Sequence, residues 1–154
     1  MTDGPPENRL LAVFPPFPRF QLSAKRTALV VVDMQYLDAH PDCGIGRTAA
    51  QAGVDDLVPS KTSSSPFNST SIDRFLRNLD IDTLLVCGVV SNGCVEGTIR
   101  DASDLGYQVV MVEDACAAVT PALHQAAITN LKDAFCNCRT TGDVMEELDR
   151  HSWH

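Results

Sequence analysis

The sequence predicts an α/β domain in three layers, with helices on both faces of a mostly parallel, open, Rossmann-like sheet. Three runs carry that reading: "TALVVVD", "TLLVCGVV" and "YQVVMVED". Each is a short apolar stretch rich in β-branched residues, as expected of strands buried on both faces. Between and after them stand segments with helical spacing and end signals, and such alternation implies right-handed crossovers in one parallel sheet. No internal repeat is visible.

Residues 1–26 read as an irregular, proline-punctuated lead-in, and residues 27–150 as a single domain. The first strand is "TALVVVD". From Met34 to Ser65 the pattern is weak, holding "HPDCGIG", the faintly helical "TAAQAGVDDL" and the serine-rich "PSKTSSSP". "STSIDRFLRNL" opens with a capping-type signal and sets Ile72, Phe75, Leu76 and Leu79 at helical spacing. After the second strand, "CVEGTIRDASDLG" is a helix with Val95, Thr98, Ile99, Ala102 and Leu105 inward, and Gly106 closes it. "TPALHQAAITNLKDAF" follows the third strand with Pro121 in its first turn. "CNCRTT" reads as a short last strand and "TGDVMEELDR" as a final helix capped near Thr141.

The 154 residues suit one domain with a sizeable core, at 44% hydrophobic and 21% charged. A net charge of −8 without any basic block argues against nucleic acid or an anionic membrane as partner. The prolines of "MTDGPPENRLLAVFPPFPRF" break any continuous signal-peptide core, and no apolar run approaches the ~20 residues that span a bilayer. Six cysteines without a CxxC pair point to reduced thiols in a cytosolic setting. Cys43, Cys87, Cys116, Cys136 and Cys138 read as small buried hydrophobes, with Cys136 and Cys138 on one strand face. His124 is too isolated to complete a zinc site.

In open parallel sheets, functional groups gather beyond the carboxyl ends of the strands. That rule singles out Asp33, Cys94 and Asp114. Cys94 stands at a strand-to-helix elbow, where a helix N-terminus favours a thiolate, though a buried cysteine at a helix start reads the same way. Asp33 must meet water, a cation or a donor, or else cap the next segment. Lys61, in "VPSKTSSSPFNST", is either solvated surface or, beside a thiol and a carboxylate, a group that lowers the thiol pKa. Spacing does not decide whether the three meet.

"ALVVVDMQ", "KTSSSPFNST" and "GVVSNGCVEGTIRDASDLGYQVVMVEDACAA" together resemble the isochorismatase-like cysteine hydrolases. This superfamily includes nicotinamidases, N-carbamoylsarcosine amidases, biuret and ureidoacrylate amidohydrolases, and isochorismatases. The resemblance implies Cys94 as nucleophile, Asp33 as general base and Lys61 as the cation holding both in register. It also implies a cis peptide at Val89–Val90, with the backbone N–H groups of Val90 and Cys94 forming an oxyanion hole. Phe67 and Tyr36 are candidate pocket residues, each equally readable as core or surface. The implied reaction is thiolate attack on a small linear amide, needing no cofactor and no metal. The partners expected are that amide and further copies of the chain, as a dimer or larger homo-oligomer.

Asp33 and Lys61 stand only 28 positions apart, whereas members of the superfamily carry several tens more. The chain is thus expected to lack one strand–helix unit, and no metal site is carried over, because that interval holds the single histidine His40. The lead-in, with Phe14, Phe17 and Phe20 as anchors, is one candidate to refill the gap. The residues around Tyr36, "DMQYLD", depart from the nicotinamidase pattern. Two other functions fit the motifs: vinyl-ether hydrolysis of the isochorismatase type, and a truncated, catalytically impaired oligomer partner. The tail "RHSWH" reads as a frayed end.

Overall fold

The computed structural model of the chain describes residues 17–33 and 59–151. Among the described residues four strands form one parallel sheet: β1 (Thr27–Val32), β2 (Thr83–Val89), β3 (Gln108–Ala117) and β4 (Asn137–Arg139). They lie in the order β1-β2-β3-β4. β1 pairs with β2 from Thr27↔Thr83 to Val32↔Gly88, and β2 with β3 from Thr83↔Gln108. The β2–β3 register shifts between Val86 and Gly88, so the carboxyl end of the central strands is already irregular. Four α-helices among the described residues accompany the strands: α1 (Ile72–Asn78), α2 (Glu96–Asp104), α3 (Pro121–Leu131) and α4 (Thr141–His151). This is the expected α/β/α arrangement.

The period of two within each strand sends alternate side chains to two cores. On one face Val30, Val32, Leu84, Val86, Val109 and Met111 pack against Ile72 and Leu76 of α1, Ile99 and Ala102 of α2, and Leu131 of α3. On the other face Leu85, Val110 and Val112 pack against Val144 of α4 and Leu22 of the lead-in. Thr83 to Val86 and Val109 to Val112 are all buried, so β2 and β3 are covered on both sides. β1, also expected to be buried on both faces, leaves Leu29 and Val31 exposed, because it has a partner strand on one side and no helix packed over that face among the described residues. The expected inward positions hold for Ile72, Leu76, Val95, Thr98, Ile99 and Ala102. Phe75, Leu79 and Leu105, also expected inward, are exposed, because α1 spans barely two turns and Leu105 follows the last residue of α2. Gly106 has φ +89 and ends α2 as its position suggests.

Residues 17–26, irregular up to a single 3-10 turn at Ala24–Arg26, are bonded to the end of the chain. Arg139 pairs with Glu147 at 2.5 Å, donates to the Phe20 carbonyl at 2.8 Å and stacks over the Phe20 ring. Glu147 in turn accepts from the Leu22 N–H at 2.7 Å. The Phe17 N–H bonds the Asp133 carbonyl. Phe17 and Phe20 are therefore tied to β4, α4 and the turn before β4 rather than beside Asp33, and Phe14 lies outside the described residues. Leu22 is 3% exposed. Leu22→Ala is expected to cost about 2–4 kcal/mol, read as a lower denaturant midpoint at unchanged slope.

Asp114, singled out by its place after the third apolar run, lies within β3 and accepts from the Thr141 N–H at 2.7 Å and its hydroxyl at 2.9 Å. It anchors the start of α4, where Thr140 and Asp143 cap reciprocally. The strand–helix unit expected to be missing falls on residues 34–58, outside the described residues. Among the described residues no helix is long and apolar enough to cross a membrane.

Candidate active site

Three segments meet at the carboxyl end of β1 and β2. β1 stops at Val32, and Asp33 turns with φ +56, a left-handed conformation uncommon outside glycine. β2 stops at Val89, the Val89–Val90 peptide is cis, and a wide π-type turn over Ser91–Val95 leads into α2. The N–H groups of Gly93 and Val95 both bond the Val90 carbonyl, which closes the turn that carries Cys94. Thr98, fully buried, donates to the Cys94 carbonyl at 2.6 Å and fastens the turn to the helix.

The third segment is the loop holding Lys61, and its hydroxyls are its scaffold. Ser63 donates to the Ser65 carbonyl at 2.6 Å and is 3.0 Å from the Ser69 hydroxyl, which accepts from the Thr62 N–H. Ser65 accepts from the Phe67 N–H, and Thr70 bonds the Pro66 carbonyl and the Ile72 N–H. The loop seats on α2, where Asn68 donates to Asp101 at 2.6 Å. A Cβ on Gly97 would stand 3.7 Å from that of Ser64, so the loop backbone lies close over the helix. One helix thus supports both the cysteine turn and the lysine loop.

The Lys61 ammonium is 2.6 Å from Asp33 Oδ1 and 3.5 Å from Cys94 Sγ, and donates to the Ser63 carbonyl at 3.1 Å. The Asp33 carboxylate also lies close enough to act on the Cys94 thiol. Burial opposes ionisation of Asp33, but the hydrogen bonds from Cys94 and Lys61 outweigh it and hold the carboxyl below its usual range. Burial likewise opposes the charge on Lys61, and the Asp33 carboxylate more than restores it. For Cys94 the direction is upward: the hydrogen bond to Asp33, then burial, then the Asp33 charge favour the thiol, and Lys61 offsets them only in part. The expected lowering of the thiol pKa by Lys61 is therefore overridden. The resting arrangement is a thiol beside an ion pair whose ammonium donates to the sulfur. Asp33 is exposed while Lys61 and Cys94 are half-buried, so the cluster is open to solvent among the described residues.

Phe67 packs against the core, with its ring 5.8 Å from that of Tyr107. Tyr36, His40 and Cys43 lie outside the described residues. Burial pushes Cys87 upward and Cys116 to about 12, while Cys136 is fully buried with its sulfur 4.0 Å from that of Cys138. These thiols behave as packing groups. Among the described residues no group of three or more histidines, cysteines or acids is placed to hold a metal ion. A groove of about 420 Å³ runs between α4 and the sheet, lined by Leu29, Leu85, Cys87, Val112 and Met145 among others. It opens on the face away from Cys94.

Two groups at the site were not singled out by sequence reasoning. Ser91, fully buried, stands 2.7 Å from His124 Nδ1. Gly88 has φ +118 beside β1. The second had a faint signal as a glycine inside a strand pattern; the first had none.

Residues 45–143 match the isochorismatase domain model. The chain is 40% identical over 57% of its length to a ureidoacrylate amidohydrolase of Agrobacterium fabrum, covering 39% of that protein. It is 36% identical over 61% of its length to a probable inactive nicotinamidase of Arabidopsis thaliana, covering 48% of it. The fold is shared with a cysteine hydrolase of Pseudomonas syringae, at a TM-score of 0.68 and 23% identity over 88% of this chain and 98% of that one. The chain spans about half the length of the curated relatives it matches.

Proposed function

The chain belongs to the isochorismatase family, and from that premise we propose that it is a cysteine-dependent hydrolase cleaving the C–N bond of a small linear amide. The observation that carries the reading is the contact of one ammonium, Lys61, with both the Asp33 carboxylate and the Cys94 sulfur. A lysine in surface solvent has no reason to bridge those two groups, whereas general-base activation of a nucleophile needs them in reach.

In this mechanism the resting thiol donates to Asp33. As the sulfur attacks the substrate carbonyl, its proton passes to the Asp33 carboxylate, and the oxygen takes the negative charge. The N–H groups of Val90 and Cys94 receive that oxyanion. Collapse of the tetrahedral adduct breaks the C–N bond, and the proton held on Asp33 leaves with ammonia or an amine. A thioester remains on Cys94. Water then gives a proton to Asp33 and attacks the thioester, and the carboxylic acid departs as the proton returns to sulfur. Lys61 stays charged throughout and keeps Asp33 ionised between steps.

The test is release of ammonia or amine from a panel of linear amides and ureido acids, with nicotinamide included. Cys94→Ala is expected to lower release by about 10³-fold or more. A wild-type protein inactive on the whole panel, or a Cys94→Ala variant that keeps its rate, overturns the reading. A second reading, a non-catalytic member, is favoured by the relative named as a probable inactive nicotinamidase. It predicts no turnover together with a folded, cooperatively melting chain.

A further inference from the structure

The turn that carries Cys94 is held from outside by a residue far away in the chain. Ser91 is 0% exposed, directly follows the cis peptide and precedes Cys94 by three positions. A buried hydroxyl without a partner is costly, and this one has its partner in His124 Nδ1 at 2.7 Å. His124 stands on α3, in the inward stripe that continues through Ala127, Ile128 and Leu131. Ala127 and Leu131 are buried, so the later turns of the helix are fixed by packing. The earlier turns differ: Pro121, Ala122, Leu123, Gln125 and Ala126 are exposed, and His124 is the residue turned inward. The stripe thus places a polar ring where helical spacing would put another apolar side chain.

We infer that His124 is a positioning residue for the reaction: through Ser91 it fixes the Val90–Val95 turn, so that the backbone N–H groups of Val90 and Cys94 meet the developing oxyanion. The inference rests on the hydrolase reading for its catalytic consequence. The physical cause is leverage. Ser91 is next to one proposed donor and three residues from the other, so a shift of its side chain moves both. A misplacement of about 1 Å at such a site costs on the order of 10² in rate. Neither group touches substrate in this scheme, so the loss falls on the chemical step rather than on binding.

Three variants separate positioning from mere stability. His124→Leu removes the hydrogen bond and keeps the bulk; Ser91→Ala removes it from the other side. His124→Asn keeps a polar atom where Nδ1 stands. His124→Leu and Ser91→Ala are expected to lower kcat about 10–100-fold with KM within about twofold. His124→Asn is expected to recover most of the loss. The double variant is expected to be no worse than Ser91→Ala alone, because both remove one interaction. A second readout is independent of turnover: amide hydrogen exchange over residues 90–95, monitored by mass spectrometry, is expected to quicken in His124→Leu and to slow again in His124→Asn. The inference is overturned by a His124→Leu variant with unchanged kcat, by equal loss in His124→Leu and His124→Asn, or by unchanged exchange over residues 90–95. Inactivity of the wild type overturns the hydrolase reading alone, and the exchange experiment then decides this one.

Discussion

Asp33→Asn is expected to abolish turnover while making Cys94 react faster with iodoacetamide at neutral pH. The two outcomes move in opposite directions because Asp33 has two effects on one sulfur. As proton acceptor it makes attack on a carbonyl possible, and loss of a positioned base costs roughly 10²–10⁴ in rate. As a neighbouring anion and hydrogen-bond acceptor it holds the thiol pKa above its ordinary value of 9.0. Removing the carboxylate charge leaves Lys61, 3.5 Å away, as the charge the thiol feels, and a cation favours the thiolate. A lower thiol pKa means a larger thiolate fraction at pH 7, and alkylation quickens in proportion.

The sign follows from which form reacts. Only the thiolate alkylates, so in the wild type the rate climbs with pH and continues to climb past the range where a free cysteine is half ionised. In Asp33→Asn it levels off at lower pH. Lys61→Met reverses the effect on the sulfur: it removes the cation that offsets Asp33, so alkylation slows. Hydrolysis by the wild type needs Asp33 ionised. Its acid limb is expected below the ordinary carboxyl value of 3.8, because Asp33 is held low in the fold. Alkylation of Asp33→Asn no faster than the wild type would mean that Asp33 does not hold the thiol proton.

Gly88→Ala is expected to be the most damaging single methyl group that can be added near the site. Gly88 pairs with Val32 in the β1–β2 ladder at φ +118, a conformation that L side chains rarely adopt. A Cβ there would stand 2.1 Å from the Val32 carbonyl oxygen and 2.8 Å from its nitrogen. Both are backbone atoms, so no side chain can swing away. Relief requires the ends of β1 and β2 to separate, and Asp33 and Val90 are carried on those two ends. The expected loss is about 3–4 kcal/mol, read from the denaturant midpoint, with turnover falling further than stability explains. An alanine variant that melts with the wild type and keeps its rate would show that the strands part without consequence.

Much of this architecture was legible from residues alone. Parallel strands announce themselves as apolar, β-branched runs, and β1, β2 and β3 all lie where such runs stand, though β1 is buried on one face only. Helical spacing with Gly106 at the end of α2 and Pro121 at the start of α3 located the main helices. The cysteine, lysine and aspartate motifs were legible through their resemblance to a family, which the domain match bears out. Exposure on short helices was less legible: Phe75 and Leu79 have the right spacing, but α1 is too short to bury a full stripe. The anchoring of Phe20 and Leu22 depends on Arg139 and Glu147, more than a hundred residues away, and no local pattern encodes it.

The chain order of residues was enough to name the fold and its strands, because periodicity and turn signals are local, and the three side chains on which the proposed chemistry would rest were named through the resemblance to a family. Packing alone settled how those side chains act on one another. Asp33 and burial keep the proton on Cys94 while the Lys61 charge favours its loss, and the first two prevail over the lowering expected from lysine. Ser91 meets His124 across 33 residues, and Gly88 owes its necessity to the Val32 backbone beside it. Interactions of this kind fall off within a few ångströms, so they exist only once the sheet has brought distant segments together.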